Sequence, residues 1–270
     1  MSAFRERLLK WKLMVTTAPV VGLVLLCRYL LEHFYVVEGK HFSGVMDFGA
    51  IAPILTAGVF LIGLMLSGTM TDYKESEKIP AELACTLESM SETIDWAAAN
   101  KPAIPAADLQ KLVMGVTEDL LGWLGRRRTQ ADLFATLETM NSAVRELDKA
   151  GATAHASRLL GELSALRKQV TRMGVISRTG FLASGYALLD TLVSAVLFLL
   201  VICSFKQYFG IVGKYVIIGF VSLTYVYMWR LIRDLDDPFE YSDNEKRNGA
   251  AEIELFPLFE FHERLKGRKR

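Results

Sequence analysis

Four long runs of apolar residues alternate along the chain with segments rich in charge. A helix rises about 1.5 Å per residue, so about 20 apolar residues cross the roughly 30 Å hydrocarbon core of a bilayer. Each run is close to that length, and the pattern therefore predicts four membrane-spanning helices. They are predicted at residues 13–31, 50–70, 186–205 and 211–229.

Apolar residues recur at helical spacing in the long segment between the second and third runs. Leu83, Leu87, Met90 and Ile94 show this spacing, which is typical of amphipathic helices packed on a common core. Helix breaks in this segment are predicted at residues 100–105, 125–129 and 150–153. Together with the spans, the pattern predicts an all-α fold for an integral membrane protein with a helical cytoplasmic region.

These patterns divide the chain into four expected parts. Residues 1–71 hold an N-terminal arm and the first two spans, and residues 72–182 form the helical region. Residues 183–232 hold the third and fourth spans, and residues 233–270 form a tail. Apolar positions in the tail predict a short helix or extended segment lying against the helical region: Ala251, Ile253, Leu255 and Leu258.

The distribution of Lys and Arg predicts the orientation of the spans. The N-terminal arm, the helical region and the tail are rich in Lys and Arg, whereas the connectors within each pair of spans carry few such residues. By the positive-inside rule, the segments rich in Lys and Arg face the cytoplasm. We therefore expect a multi-pass protein of the cell's inner membrane with both termini in the cytoplasm. The first run is too long for a signal peptide and lacks a small-residue cleavage site, which predicts a retained span.

The composition excludes several classes of function. Hydrophobic residues make up 51% of the chain and its mean hydropathy is +0.26, which is too apolar for a soluble enzyme. The net charge of +1 does not provide the positive field that a nucleic-acid binder needs. The three cysteines have no paired spacing, so neither a disulfide framework nor a zinc site is indicated. The sequence contains no phosphate-binding loop, nucleophile elbow or His-Glu-x-x-His motif, and an enzyme is not expected.

One stripe of the second span mixes small, polar and aromatic residues. Small residues allow helices to pack closely, so the stripe can be a packing seam. It can also line a pathway in which Phe60 and Leu64 form an apolar constriction that closes by dewetting. Both interpretations remain open from the residues alone. The stripe consists of Thr56, Phe60, Gly63, Leu64 and Ser67.

Two ionisable residues fall inside the apolar runs: Arg28 near the end of the first and Asp190 near the start of the third. Charged groups within a membrane usually face a partner or a water-filled space. Their positions near span ends also allow an interfacial location, with Arg28 snorkelling to the headgroups. A separate hypothesis, an enzyme acting on lipid, would use Asp190 and the carboxylates of the tail as acid and base groups.

Acidic residues crowd the segment that follows the fourth span, around a Pro-Phe pair. Calcium prefers several oxygen ligands converging from a flexible loop, so this segment is either a calcium clasp or a solvated acidic turn. The string Asp234-Leu-Asp-Asp-Pro-Phe, with Asn244 and then Ala250-Ala-Glu-Ile-Glu-Leu, resembles the segment that ends the membrane domain of bestrophins, especially bacterial ones. The segment Asp72-Tyr-Lys-Glu-Ser-Glu-Lys is similar to the Tyr-x-Glu-Ala-Arg stretch of that family.

The order of parts also resembles the bestrophin layout of two spans, a helical insertion, two more spans and a returning tail. This resemblance implies a homopentamer in which the second span of each subunit lines a neck of stacked apolar rings. The neck positions of the family fall near Thr56, Phe60 and Leu64, which favours the pore over the packing seam. The chain departs from the family at Thr56, which replaces a bulky apolar residue, and at residues 65–67, which replace a polar pair.

The same resemblance implies an ion channel whose partners are the lipid bilayer, small inorganic ions and further copies of the chain. Chloride is a candidate ion, although the mixed charge near the span ends does not distinguish anions from cations. No cofactor is indicated other than calcium. The clasp positions of animal bestrophins fall on Asp234, Asp237, Ser242 and Glu245, of which Ser242 has no carboxylate. The main alternative is a non-conducting membrane scaffold or sensor whose helical region binds partners.

Overall fold

The computed structural model describes residues 2–34, 36–37, 40–41, 44, 46–178, 183–205, 210–236, 238–239, 241 and 251–268. Helices account for most of these residues, which confirms the predicted all-α fold. The helices are α1 (Ser2–Phe34), α2 (Phe48–Ser76), α3 (Ile79–Asn100), α4 (Ala106–Leu124), α5 (Gln130–Lys149), α6 (Thr153–Ile176), α7 (Ala183–Ile202), α8 (Gly210–Asp236) and α9 (Phe256–Arg268).

Short strands join the ends of some of these helices. Strand β1 (Val36–Val37) pairs antiparallel with β2 (Lys40–His41), with Val36 opposite His41. Strand β3 (Met46–Asp47) pairs in parallel with β4 (Cys203–Ser204), with Met46 opposite Cys203. Just before β3, Gly44 has a φ of +99°, and a Cβ there would lie 2.5 Å from the Ser204 backbone nitrogen. Position 44 therefore requires glycine, because a side chain there would clash with the backbone of Ser204.

Four helices of the described chain are long and apolar enough to cross a membrane. They are α1, α2, α7 and α8. Helices α1, α2 and α8 contain the predicted first, second and fourth spans, whereas α7 ends at Ile202, three residues before the predicted end of the third span, and the chain continues into β4. Helix α1 begins well before its apolar run, at Ser2, because extending an existing helix adds one hydrogen bond for each residue that is ordered. The chain is thus a multi-pass membrane protein.

The chain folds into two compact units. The first, the span unit, contains α1, α2 as far as Thr71, α7 and α8. Each of the four helices has one side packed within the unit and one side turned away from it, and the packed sides together form an apolar core. The buried core residues include Val24 from α1, Ile51 and Ile62 from α2, Val196 from α7 and Ile218 from α8.

The second unit, the bundle unit, contains the end of α2 from Asp72, helices α3 to α6 and α9. Helix α3 packs against α4 and α6, and α5 packs against α4 and α6, so the four helices surround one core. Short loops between successive helices make neighbours antiparallel. The predicted stripe Leu83, Leu87, Met90 and Ile94 is fully buried in this core.

Helix ends in the bundle unit fall at the three predicted breaks. The break before α5 is stabilised by a capping box, in which the Thr129 hydroxyl accepts from the Asp132 backbone N–H at 3.2 Å. The Asp132 carboxylate accepts in return from the Thr129 backbone N–H at 2.8 Å. That backbone hydrogen bond is the main reason why the pKa of Asp132 lies below its usual value.

The C-terminal segment completes the core of the bundle unit. Ile253, Leu255 and Leu258 are buried there, and α9 packs against α3 and α4. Before α9, the Tyr241 hydroxyl donates to the Ile253 carbonyl oxygen at 2.9 Å. The apolar spacing in the tail therefore marks residues that contribute to the core.

Neighbouring leucines on α6 provide a test of this core. Leu159 is fully buried and Leu160 is 43% exposed. We expect Leu159→Ala to lower the free energy of unfolding by about 2–5 kcal/mol, because it removes packed atoms and leaves a cavity. Leu160→Ala, the matched control, should lower the free energy of unfolding by much less. Thermal unfolding of the purified full-length protein measures both, and equal losses would contradict the assignment of the core face of α6.

Candidate functional site

Helix α2 has one face turned into the span unit and one turned away from it. Ile51, Leu55 and Ile62 form the inner face and are at most 8% exposed. The outer face carries the stripe that the sequence singles out. Its residues are all exposed: Thr56, Phe60, Gly63, Leu64 and Ser67. The structure thus brings the five predicted residues to one surface of a single helix.

The exposed stripe combines large apolar side chains with small ones. Phe60 and Leu64 are 65% and 56% exposed, and they lie about 6 Å apart along the helix axis, since they are four residues apart. Nothing lies within 4 Å of the position that a Cβ would take at Gly63. The Thr56 hydroxyl donates to the Ala52 carbonyl oxygen at 3.0 Å, so its hydrogen bond is made within the helix. This face is available to lipid or to another subunit.

Tyr225 on α8 sets which face of α2 is turned outward. Its side chain is 1% exposed, and its hydroxyl donates to the Leu55 carbonyl oxygen. Gly58 lies beside the ring, and a Cβ at that position would be 2.6 Å from the Tyr225 hydroxyl oxygen. A side chain at position 58 would therefore push α2 away from α8. Glycine and tyrosine together fix the rotation of α2 within its unit.

A cluster of charged and polar side chains, the ion cluster, is enclosed in the span unit. It consists of Arg28 and Glu32 on α1 with Lys214 and Tyr215 on α8. The Glu32 carboxylate accepts from Arg28 Nη2 at 2.6 Å, from Lys214 Nζ at 2.6 Å and from the Tyr215 hydroxyl at 2.9 Å. Arg28 Nη1 also donates to the Val201 carbonyl oxygen of α7 at 2.8 Å. One carboxylate thus joins α1 to α8, and one guanidinium joins α1 to α7.

Burial makes the ion cluster a strong constraint on the span unit. The Arg28 side chain is 2% exposed, so it faces partners within the unit, as one of the two interpretations from sequence expected. Glu32 is 12% and Lys214 21% exposed. Charges removed from water are stable only when they are paired and hydrogen-bonded, as these are. The sequence analysis missed Glu32, although its spacing of four residues from Arg28 is that of a helical ion pair.

Asp190, the other ionisable residue within an apolar run, is also paired. Its Oδ1 accepts from Trp229 Nε1 at 2.7 Å, and its Oδ2 accepts from Arg233 Nη2 at 2.7 Å. The Arg233 guanidinium lies 4.8 Å from the centre of the Trp229 ring. This arrangement joins α7 to α8 and pairs Asp190 with a permanent cation, as a structural role for the carboxylate requires.

The end of α2 is held within the bundle unit by the segment that resembles the bestrophin stretch. Arg172 on α6 donates from Nε and Nη2 to the two oxygens of Glu75, at 3.0 and 2.7 Å. This bidentate pair raises the pKa of Arg172 above its ordinary value. Tyr73 packs against the core of the bundle unit. The motif residues therefore act as an anchor for the last turns of α2.

The predicted calcium clasp lies largely outside the described residues. Asp234 belongs to α8 and has an interacting partner, whereas Asp237, Ser242 and Glu245 fall outside the described part of the chain. Within that part, no group of three or more His, Cys, Asp or Glu residues could hold a metal ion. The clasp stays a prediction.

Comparison with known proteins identifies the fold. No protein-family model matches the sequence, and no curated protein matches it. A crystal structure of a bacterial bestrophin homolog from Klebsiella pneumoniae matches with a TM-score of 0.69 and 13% identity, over 94% of this chain and 96% of that one. A point-substituted form of that homolog matches with a TM-score of 0.68 and 11% identity, over 95% and 97% of the two chains. The chain therefore has the fold of bacterial bestrophin homologs, which confirms the resemblance at the level of fold.

The ion cluster gives a prediction about stability. We expect Glu32→Gln to lower the free energy of unfolding by about 3–5 kcal/mol, because it leaves Arg28 and Lys214 enclosed without the opposing charge. The control is Glu146→Gln, which removes an exposed ion pair with Lys149 and should cost at most about 1 kcal/mol. Thermal unfolding in detergent measures both. Similar shifts for the two variants would show that the ion cluster contributes no more than a surface pair.

Proposed function

We propose that this chain, which has the fold of bacterial bestrophin homologs, assembles as a homopentameric ion channel. In this proposal, α2 of each subunit lines a shared neck, and rings of Phe60 and Leu64 form its hydrophobic gate. The observation that carries the proposal is the two-sided character of α2. Its inner face is fixed by Tyr225, and its outer face exposes Phe60 and Leu64 with no covering from their own subunit.

The composition of the exposed stripe favours a pore over contact with lipid. On α8, the exposed residues Val212, Val216 and Phe220 follow at intervals of four and are all apolar, as a lipid-facing stripe requires. On α2, Thr56 precedes Phe60 by one turn, and Ser67 follows Leu64 by about one turn. Polar residues on both sides of an apolar pair suit a hydrated pore with a short apolar constriction from which water is excluded.

In this proposal, the pore opens when water enters the constriction formed by Phe60 and Leu64 and closes when water leaves it. Rings of apolar side chains about 6 Å apart, one turn of helix, enclose a space from which water withdraws when the opening is narrow. An ion must then shed its hydration shell without replacement and does not pass. Small movements of α2 that widen the ring would let water return. The contact of Tyr225 with Leu55 and the Glu75–Arg172 pair hold α2 at two points along its length.

The proposal places the protein in the cell's inner membrane, with both termini and the bundle unit in the cytoplasm. The Lys and Arg residues of the N-terminal arm and the bundle unit, compared with the few in the connectors within each pair of spans, support this orientation. The partners are the lipid bilayer, small inorganic ions and other copies of the chain. Calcium is proposed as an effector at the clasp positions Asp234, Asp237, Ser242 and Glu245, and an increase in thermal stability on adding calcium would support its binding.

Substitution of the gate residues tests the proposal directly. We expect Phe60→Ala and Leu64→Ala each to increase the current through planar bilayers containing the purified protein, because a wider and less apolar ring wets more easily. Phe220→Ala is the matched control, since this phenylalanine of α8 is 69% exposed and should face lipid. It should leave the current unchanged.

Several outcomes would count against the channel. If the wild-type protein gives no current in proportion to its amount, the alternative of a non-conducting scaffold or sensor is favoured. If Phe60→Ala and Leu64→Ala behave like Phe220→Ala with folding intact, these residues do not form the gate.

The subunit number is a separate prediction. We expect images of the purified protein, viewed along the membrane normal, to show fivefold symmetry with α2 nearest the axis. A monomer, or an assembly that places α2 at its outer rim, would leave the exposed stripe facing lipid and would remove the basis for a shared neck.

A further inference from the structure

Helix α2 is one uninterrupted helix that carries the proposed gate in its middle and an ion pair at its end. It runs from Phe48 to Ser76, and no proline lies between Phe60 and Glu75. In a regular helix each residue is hydrogen-bonded to the next turn, so a rotation imposed at one end is passed along the axis. The contacts that hold the end of α2 therefore bear on the position of the gate residues.

Helical geometry places the end pair on the same side of α2 as the gate. Successive residues turn by about 100° and rise by about 1.5 Å. Glu75 follows Leu64 by eleven residues, or about three full turns, so the two side chains lie within about 20° of each other around the axis. They are about 16.5 Å apart along it. Thr71 lies between them on this face and is also exposed.

The ion pair at the end of α2 fixes direction as well as distance. Nε and Nη2 of Arg172 donate to the two oxygens of Glu75 at 3.0 and 2.7 Å. A planar guanidinium bound to both oxygens sets the orientation of the carboxylate. The charge of Asp72 also contributes to the raised pKa of Arg172, so this arginine interacts with the last two turns of α2. Rotation of these turns would break the bidentate contact.

The pair is exposed, and other contacts keep α2 attached when it is lost. The side chains of Arg172 and Glu75 are 43% and 49% exposed, so their pair contributes little to the stability of the fold. Tyr73 still packs against the core of the bundle unit. Only Glu77 and Lys78 separate α2 from α3, and the Glu77 backbone N–H donates to the Tyr73 carbonyl oxygen at 3.0 Å. Loss of the pair should therefore loosen the rotation of α2 without detaching it.

From the shared face, the bidentate geometry and the exposure of the pair, we infer that Arg172 is a positioning residue for the gate. By holding Glu75, it keeps the side of α2 that carries Phe60 and Leu64 turned toward the neck, and so favours the closed pore. The contact with Tyr225 holds α2 on the other side of the gate. Release of Arg172 lets the apolar rings widen and fill with water. This inference rests on the proposed function.

Single-channel recording from planar bilayers tests the inference. We expect Arg172→Gln and Glu75→Gln each to raise the ratio of open to closed time about threefold, which is within the range that an exposed ion pair supplies. Combining Glu75→Arg with Arg172→Glu should bring the ratio back toward the wild-type value, because it restores the attraction. The matched control is Arg167→Gln, which removes a pair of 2.8 Å between α6 and Glu138 of α5 and should leave the ratio unchanged.

A chemical readout separates this inference from the channel itself. Leu64→Cys is introduced into protein in which the exposed Cys27 and Cys85 are replaced by serine. Its rate of reaction with a water-soluble maleimide reports access to the stripe on α2. We expect Arg172→Gln to raise this rate about threefold. Arg167→Gln should leave it unchanged.

The outcomes distinguish the two claims. Wild-type open ratios and labelling rates in both Arg172→Gln and Glu75→Gln, with unfolding midpoints preserved, would overturn the inference and leave the channel standing. Equal changes in Arg167→Gln, or a charge exchange that behaves like the single substitutions, would also overturn it. Faster labelling in Arg172→Gln of a protein that carries no current would remove the channel and retain Arg172 as the residue that positions α2.

Discussion

Hydrocarbon offers no hydrogen-bonding partners, so each polar group that enters the membrane must be satisfied by the protein itself. The backbone meets this constraint by forming the four spanning helices. The side chains meet it in the ion cluster, where Glu32 accepts three hydrogen bonds and Arg28 caps the Val201 carbonyl oxygen. Because these contacts link α1 to both α7 and α8, satisfying the charges also fixes the packing of the span unit. Pairing these polar groups therefore also determines how α1, α7 and α8 pack together.

With three helices joined in this way, α2 is the span whose orientation depends on a few close contacts. Its inner face meets Tyr225 at Gly58, where the missing side chain lets the tyrosine hydroxyl reach the Leu55 carbonyl oxygen. The same contact turns Phe60 and Leu64 outward. A helix held by small local contacts and exposing an apolar surface is suited to movement against other subunits, since little of its own core has to be broken. That property is what the proposed gate requires.

The fold was largely accessible from sequence because its signals are local. Span length and helical period identify α1, α2, α7 and α8, and the stripe from Leu83 to Ile94 identifies the core face of α3. The ion cluster was not accessible, because Lys214 lies 182 residues from Glu32 and no periodic pattern connects them. The sequence identified the residues of the α2 stripe as a group, because helical spacing shows that they share one face of the helix. What that face contacts lies outside the chain itself, and a single sequence carries no direct signal about it.

The loop between α4 and α5 shows a different limit of local patterns. Three successive arginines before a helix are read by sequence rules as a marker of membrane orientation. In the structure they differ: Arg128 anchors the loop on Asp119, while Arg126 adopts a left-handed backbone and lines a cavity. Orientation needs only positive charge, which lysine in a relaxed loop would provide equally well. The ion pair of Arg128 with Asp119 is a structural contact that the charge pattern does not reveal, because Asp119 lies nine residues earlier and on the preceding helix.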